Sequence, residues 1–316
     1  MNTCAPTPTT TTTAPPVNEI TPRRASLIAG IGYLIIFVAA FFANFIVLGG
    51  MGVDGDAAAT VANITDNEAM FRLGLIAFLA VFLTDVVIAW ALWILFRDIS
   101  RELSRLTAWM RLVYTGFLGV AVISFFAVLQ LLSGASWLST FNPGQIDAQV
   151  MLALSAFDAA WLVGLAAFGV HLILLGTMII RTAVAPRALG ILLGIAGVAY
   201  ILDTAAHGLV ADYADYANLF LAIVAVPSVI GELWFTFWLL LRGGKERAFR
   251  RDRSAPREGP RMKARVLESV LGLAICLVAA ALMITGTVGV GWGAAIGMVG
   301  IGLLAVTQVR RDKESR

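Results

Sequence analysis

The chain has 316 residues, of which 59% are hydrophobic and only 14% charged, and its mean hydropathy is +0.86. That leaves too little polar surface for a water-soluble globule, and the composition equally excludes intrinsic disorder, collagen-like repeats and a disulfide-rich scaffold. A net charge of +3 and a pI near 9.1 therefore belong to a multi-pass membrane protein.

Residues 1–22, with the Thr9–Thr13 run and Pro6, Pro8, Pro15 and Pro16, show no apolar periodicity and are expected to form a disordered cytoplasmic tail. Leu27–Leu48 is a full span rather than the short apolar core of a signal peptide, so the first span is expected to stay in the mature protein. Eight stretches reach the roughly 20 residues that a helix needs to cross a bilayer. They are Ala25–Gly49, Leu73–Phe96, Thr107–Leu132, Leu152–Ile180, Arg187–Val210, Asn218–Leu241, Val266–Ile284 and Val288–Val309. Long unbroken apolar runs call for helices, whereas barrel strands would alternate, so the fold class is all-α: a polytopic transmembrane helix bundle. With both termini inside, 22 of the 23 basic residues lie on the cytoplasmic side, Arg72 being the exception. The opposite loops carry Asp54, Asp56, Asp66, Glu68, Asp147, Asp212 and Asp215. Topology thus explains the basic pI, and nucleic-acid binding is not expected.

The division along the chain is a six-span core over 23–243, a basic linker over 244–264, and a two-span glycine-rich hairpin with a basic end over 265–316. Ten of the 24 residues in 242–265 are Lys or Arg, a pattern suited to anionic lipid headgroups. In the eighth span Gly289, Gly293 and Gly297 recur every four residues, which fits close helix packing, within the hairpin or between two copies of the chain. Cys4 in the tail and Cys276 in the seventh span are not placed to form a structural disulfide. Arginine outnumbers lysine 20 to 3, as in GC-rich bacteria, and a bacterial cytoplasmic membrane is the expected location.

None of the common hydrolase, zinc-protease, dithiol, phosphate-loop or dinucleotide motifs occurs. What stands out is polarity inside the spans: Asp85, Asp158, Asp203 and Glu232, plus both histidines, His171 and His207. A charged residue at mid-membrane costs about 2.5–3.5 kcal/mol on insertion scales, so these groups should face the bundle interior. At 1.5 Å per residue they separate into two tiers. Asp85, His171 and Glu232 lie roughly 14–16 Å from the cytoplasmic helix ends, and Asp158, Asp203 and His207 roughly 24–33 Å. Asp203 and His207 share a helix face, with Tyr200 one turn earlier, and Ser228, Glu232 and Thr236 form one stripe beneath Pro227, which is expected to kink its helix.

Three functions compete. Titratable groups at successive depths suit proton- or cation-linked transport, or small-molecule binding. Asp158, Asp203 and His207 would be the metal ligands of an intramembrane hydrolase, although one histidine per tier is meagre for zinc. A non-catalytic sensor or assembly protein needs neither. The sequence calls for no cofactor, and an enzyme is the less favoured reading.

Taken together, several pieces resemble the bacterial membrane family of domain of unknown function 4386, over about residues 23–243. They are Arg24, Gly30 and Tyr33; Asp56-Ala57-Ala58-Ala59-Thr60 and Asn63-Ile64; Phe71-Arg72-Leu73-Gly74; Asp85; Arg111; Gly169, His171-Leu172 and Gly176; Pro186-Arg187 and Leu189-Gly190; Tyr200 to Asp203; and Glu232. The resemblance implies a compact multi-span bundle. It also adds Arg111 to the candidates and sets Asp85, Arg111, His171, Asp203 and Glu232 ahead of Asp158, His207 and Tyr200. The expected centre is a buried Asp85–Arg111–Glu232 network around His171.

Overall fold

The computed structural model describes residues 20–53, 55–182 and 184–245. The tail before Ile20, the linker beyond Lys245, the hairpin with Gly289, Gly293 and Gly297, and both cysteines lie outside the described residues.

Every described element is helical. Helix α1 (Pro22–Phe41) starts where Thr21 accepts a hydrogen bond from the Arg24 backbone N–H and Pro22 takes a first-turn position that needs no donor. It continues through a π-helical segment, Phe42–Leu48, into the single turn α2 (Gly49–Met51). Helix α3 (Ala57–Asp66) is capped by Asp56, whose carboxylate accepts from the Ala59 N–H at 2.9 Å. Next come α4 (Glu68–Phe96), α5 (Arg101–Leu131), a 3-10 turn at Ser136–Thr140, α6 (Pro143–Thr182), α7 (Arg187–Leu209) and α8 (Tyr213–Leu241).

Six helices in the described residues are long and apolar enough to cross a membrane: Pro22–Met51, α4, α5, α6, α7 and α8. They coincide with the first six expected spans. The differences lie at the ends and in the loops. Helix α6 begins at Pro143 rather than Leu152, and its 40 residues make it about 60 Å long. That is twice the hydrocarbon thickness, so α6 projects well beyond a bilayer core. The helix α3 and the 3-10 turn were not expected from apolar periodicity, which short polar segments lack. Helix α8 runs without interruption through Pro227, and the Ser228 hydroxyl donates to the Val224 carbonyl at 2.7 Å beside it.

Each span packs against the next in sequence, and α8 closes on α1, making a ring of six antiparallel helices. The pairing is visible residue by residue. Gly169 meets Gly197 and Gly176 meets Gly190 across α6 and α7, backbone against backbone, leaving no room for a Cβ. Small residues at such crossings replace the hydrophobic drive that lipid removes. Ring closure is polar. Arg23 donates to the carbonyls of Leu239, Leu240 and Gly243, and Ser26 to that of Leu239, so α1 satisfies the open C-terminal end of α8.

The outer surface is apolar: Ile31, Ile35, Val38, Leu83, Val87, Val120 and Ile123 are all exposed, as a lipid-facing belt requires. Antiparallel packing gathers Arg23, Arg97, Arg101, Arg105, Arg181 and Arg187 at one end of the ring and Asp56, Asp66, Glu68, Asp147, Asp212 and Asp215 at the other. Arg72, the basic residue at the acidic end, is neutralised by Glu68 one turn earlier at 2.6 Å.

Candidate polar centre and its outer companion

Arg111 projects from α5 into the middle of the ring and is 2% exposed. Its Nη2 meets Asp85 Oδ1 of α4 at 2.5 Å, and Asp85 is 1% exposed. Its Nη1 donates to the Tyr33 hydroxyl of α1 at 2.6 Å and stands 3.4 Å from His171 Nε2 of α6. One side chain on α5 therefore joins three other helices. His171 in turn places Nδ1 2.8 Å from the Thr107 carbonyl of α5. A carbonyl only accepts and a guanidinium only donates, so the ring carries its hydrogen on Nδ1 and accepts on Nε2.

Aromatic faces complete the enclosure. The guanidinium carbon lies 4.7 Å from the Tyr33 ring centre and 5.4 Å from that of Phe168. Phe168 stacks on His171 at 5.6 Å and contacts Tyr114 at 4.9 Å. Desolvated cation–π contacts of this kind contribute about 2 kcal/mol in favourable cases. Burying an ion pair remains costly unless every remaining polar atom is satisfied. Here Asp85 Oδ1 has only its ion-pair contact with Arg111, and Asp85 Oδ2 and Arg111 Nε are buried with no hydrogen-bond partner among the described residues.

Glu232 is the second acid of this tier, on α8. Ser228 and Thr236 turn their hydroxyls back to the backbone of their own helix, Ser228 also lies within hydrogen-bond reach of Tyr200 on α7, and Glu232 reaches across the ring. It accepts from the Tyr200 hydroxyl of α7 at 3.5 Å, a long contact. It also lies within electrostatic reach of Arg111 and Asp85. The expected network therefore appears with a different wiring: Asp85, Arg111 and His171 are joined directly, and Glu232 stands beside them on Tyr200.

The outer tier divides. Asp203 accepts from the Tyr213 hydroxyl at 2.7 Å, while His207 stacks on Tyr213 with ring centres 3.5 Å apart. His207 Nδ1 is 3.0 Å from the Asp203 backbone carbonyl and 3.7 Å from its Oδ1. Asp158 is not part of this cluster. It lines a separate groove with Leu48, Thr60 and Met151. Among the described residues no three His, Cys, Asp or Glu side chains come together as a metal would require.

Tyr33, Thr107, Phe168, Tyr114 and Tyr213 have roles that polar-residue counting did not assign. A signal was present for the tyrosines, since a hydroxyl inside an apolar span needs a partner there. Thr107 serves through its backbone carbonyl, which no side-chain pattern marks.

The family described as Domain of unknown function (DUF4386) matches residues 28–243. An uncharacterized protein of Archaeoglobus fulgidus is 27% identical over 165 residues, which is 52% of this chain and 80% of the relative. No solved structure matches.

Proposed function

The chain belongs to the DUF4386 family, and on that premise we propose that its six-span core carries or binds a small solute in a process linked to a proton or monovalent cation. Asp85, Arg111, His171 and Tyr33 would be the working groups, with Glu232 and Tyr200 beside them. Charge balance is the observation that supports this reading. The centre holds two carboxylates and one guanidinium, and His171 is hydrogen-bonded as the neutral ring. In a low-dielectric interior a surplus negative charge is costly, so one further positive charge is called for. A proton or a small cation supplies it. Asp85 Oδ2, the acceptor left over on the ion pair, is the atom that such an event would engage.

The test is purified protein in liposomes with a trapped pH-sensitive dye, under imposed proton, sodium and potassium gradients. Gradient-driven flux in the wild type, lost in Asp85→Asn and Glu232→Gln while both remain folded, supports the reading. A folded wild type that moves neither protons nor cations overturns it.

A second reading has its own observation. Arg111 ties four helices together, as a lock in a non-catalytic sensor or assembly protein would. Such a protein shows no flux but changes helix packing when a ligand binds. The hydrolase reading is tested separately by metal analysis, where stoichiometric zinc in the purified chain would revive it.

The basic end faces the cytoplasm in this proposal, with the chain in a bacterial cytoplasmic membrane, since Lys and Arg resist translocation. The basic stretch 242–265 would bind anionic lipid, and the Gly289–Gly293–Gly297 stripe a second copy of the chain.

A further inference from the structure

We propose that the groove between α3 and α6 at the acidic end is a binding site for a small organic cation, a quaternary or primary ammonium on a compact apolar body. The groove encloses about 230 Å³, less than the usual volume for drug-sized ligands, and so admits only a small molecule. Leu48, Met151, Leu154 and Phe157 give it an apolar lining. Asp158 and Ser155, one helical turn apart on α6, supply the polar rim.

Three features select a cation. Asp158 is the charged group in the described lining, and no ion pair or hydrogen bond within the described residues occupies it. The opposite wall is fixed by Thr60, whose hydroxyl donates to the Asp56 carbonyl at 3.0 Å and accepts from the Val53 N–H at 3.0 Å. Thr60 is thereby spent on the loop and offers no competing donor to an anion. Arg72, the basic residue at this end of the ring, is already paired with Glu68. The acids gathered at this end of the ring raise the local concentration of cations. A carboxylate beside an apolar lining is the chemistry that holds an alkylammonium, the carboxylate meeting the charge and the lining covering the alkyl groups. The apolar lining favours methyl or alkyl substituents over a hydrated metal ion.

This site is distinct from the polar centre, and its occupancy is measured without any flux. The experiment is calorimetric titration of the full chain, in nanodiscs of phosphatidylglycerol alone, with choline and with dimethylbutanol, its uncharged carbon isostere. Saturable choline binding at one site per chain is expected, with binding of the isostere about tenfold weaker or undetectable. Asp158→Asn should weaken choline about tenfold, and Asp158→Glu should retain most of the affinity; Asp158 is exposed, so both variants should unfold as the wild type does. Asp85→Asn should leave the titration unchanged, which separates this inference from the function proposed for the centre. No saturable binding, equal binding of the isostere, or indifference to Asp158→Asn overturns it. A second set of nanodiscs containing phosphatidylethanolamine covers the lipid source of the same chemistry. Unchanged choline affinity there supports a soluble ligand, and competitive loss assigns the groove to a lipid headgroup and overturns the proposal.

Discussion

The two carboxylate clusters of the ring use similar residues in different surroundings. At the centre, Asp85 and Arg111 are 1% and 2% exposed, while in the outer cluster Asp203 and His207 are 15% and 37% exposed. Each acid has a close partner, Arg111 at 2.5 Å in one and Tyr213 at 2.7 Å in the other. Burial, not partner distance, separates them. Water can replace a lost partner at Asp203, whereas nothing replaces one at Asp85. The inner cluster also links four successive spans, α1, α4, α5 and α6, and the outer one only two, α7 and α8. Disturbing the first should therefore be felt through the whole ring, and disturbing the second at one corner.

The sharpest test of that difference removes one charge from the inner pair. Arg111→Met leaves Asp85 uncompensated and should destabilise the protein by about 3–5 kcal/mol in detergent unfolding. The double variant Asp85→Leu with Arg111→Met should recover most of that loss, because an apolar pair of similar volume needs no desolvation. If the single variant matched the wild type, the pair would have to be solvated and the contrast would collapse.

The frame holding the inner cluster comes next. A Cβ at Gly176 would press on the Gly190 carbonyl, so Gly176→Val should separate α6 from α7 and cost about 1–3 kcal/mol. His171 lies on α6 five residues from Gly176, so the same variant should also disturb the Arg111–His171 contact. A change in the His171 imidazole NMR signal would report it, and an unchanged signal would show the cluster independent of its frame.

The sequence made much of this legible where cost and periodicity coincide. Apolar runs located six spans because 20 hydrophobic residues have few other uses. Asp85 stands out because a carboxylate is expensive alone in a span, and the family resemblance, not cost, adds Arg111 as its partner. Glu232 takes its hydrogen bond from Tyr200 rather than from Arg111, because counting residues along a helix does not fix which way the helix is turned. Asp158 and Asp203 were grouped by depth alone, yet they lie on different helices facing different places, one in a groove and one against Tyr213. Helix α3 carried a readable cap, Asp56 before Ala57-Ala58-Ala59, that no apolar stretch was long enough to emphasise. Tyr33 belongs to the family pattern but not to the candidate site residues read from the sequence. In an apolar run a tyrosine looks like packing, and only the fold shows that its hydroxyl faces Arg111.

Removing the same atom from both clusters gives the smallest effects and the fairest comparison. Tyr33→Phe deletes the hydroxyl that accepts from Arg111 Nη1. Tyr33 is 5% exposed, so that donor keeps only the 3.4 Å approach to His171, and the expected loss is about 1–3 kcal/mol. Tyr213→Phe deletes the hydroxyl that donates to Asp203 Oδ1. Both variants keep the ring, so packing changes little in either. The difference is what happens to the abandoned partner. A buried guanidinium N–H left short of an acceptor bears its full desolvation cost, whereas a carboxylate near the ring's end takes a hydrogen bond from water. Tyr213→Phe should therefore cost about 0.5–1.5 kcal/mol, toward the lower limit, in the same unfolding assay. Equal losses in the two variants would mean that water reaches Arg111 as readily as Asp203, and burial would no longer distinguish the inner cluster from the outer one.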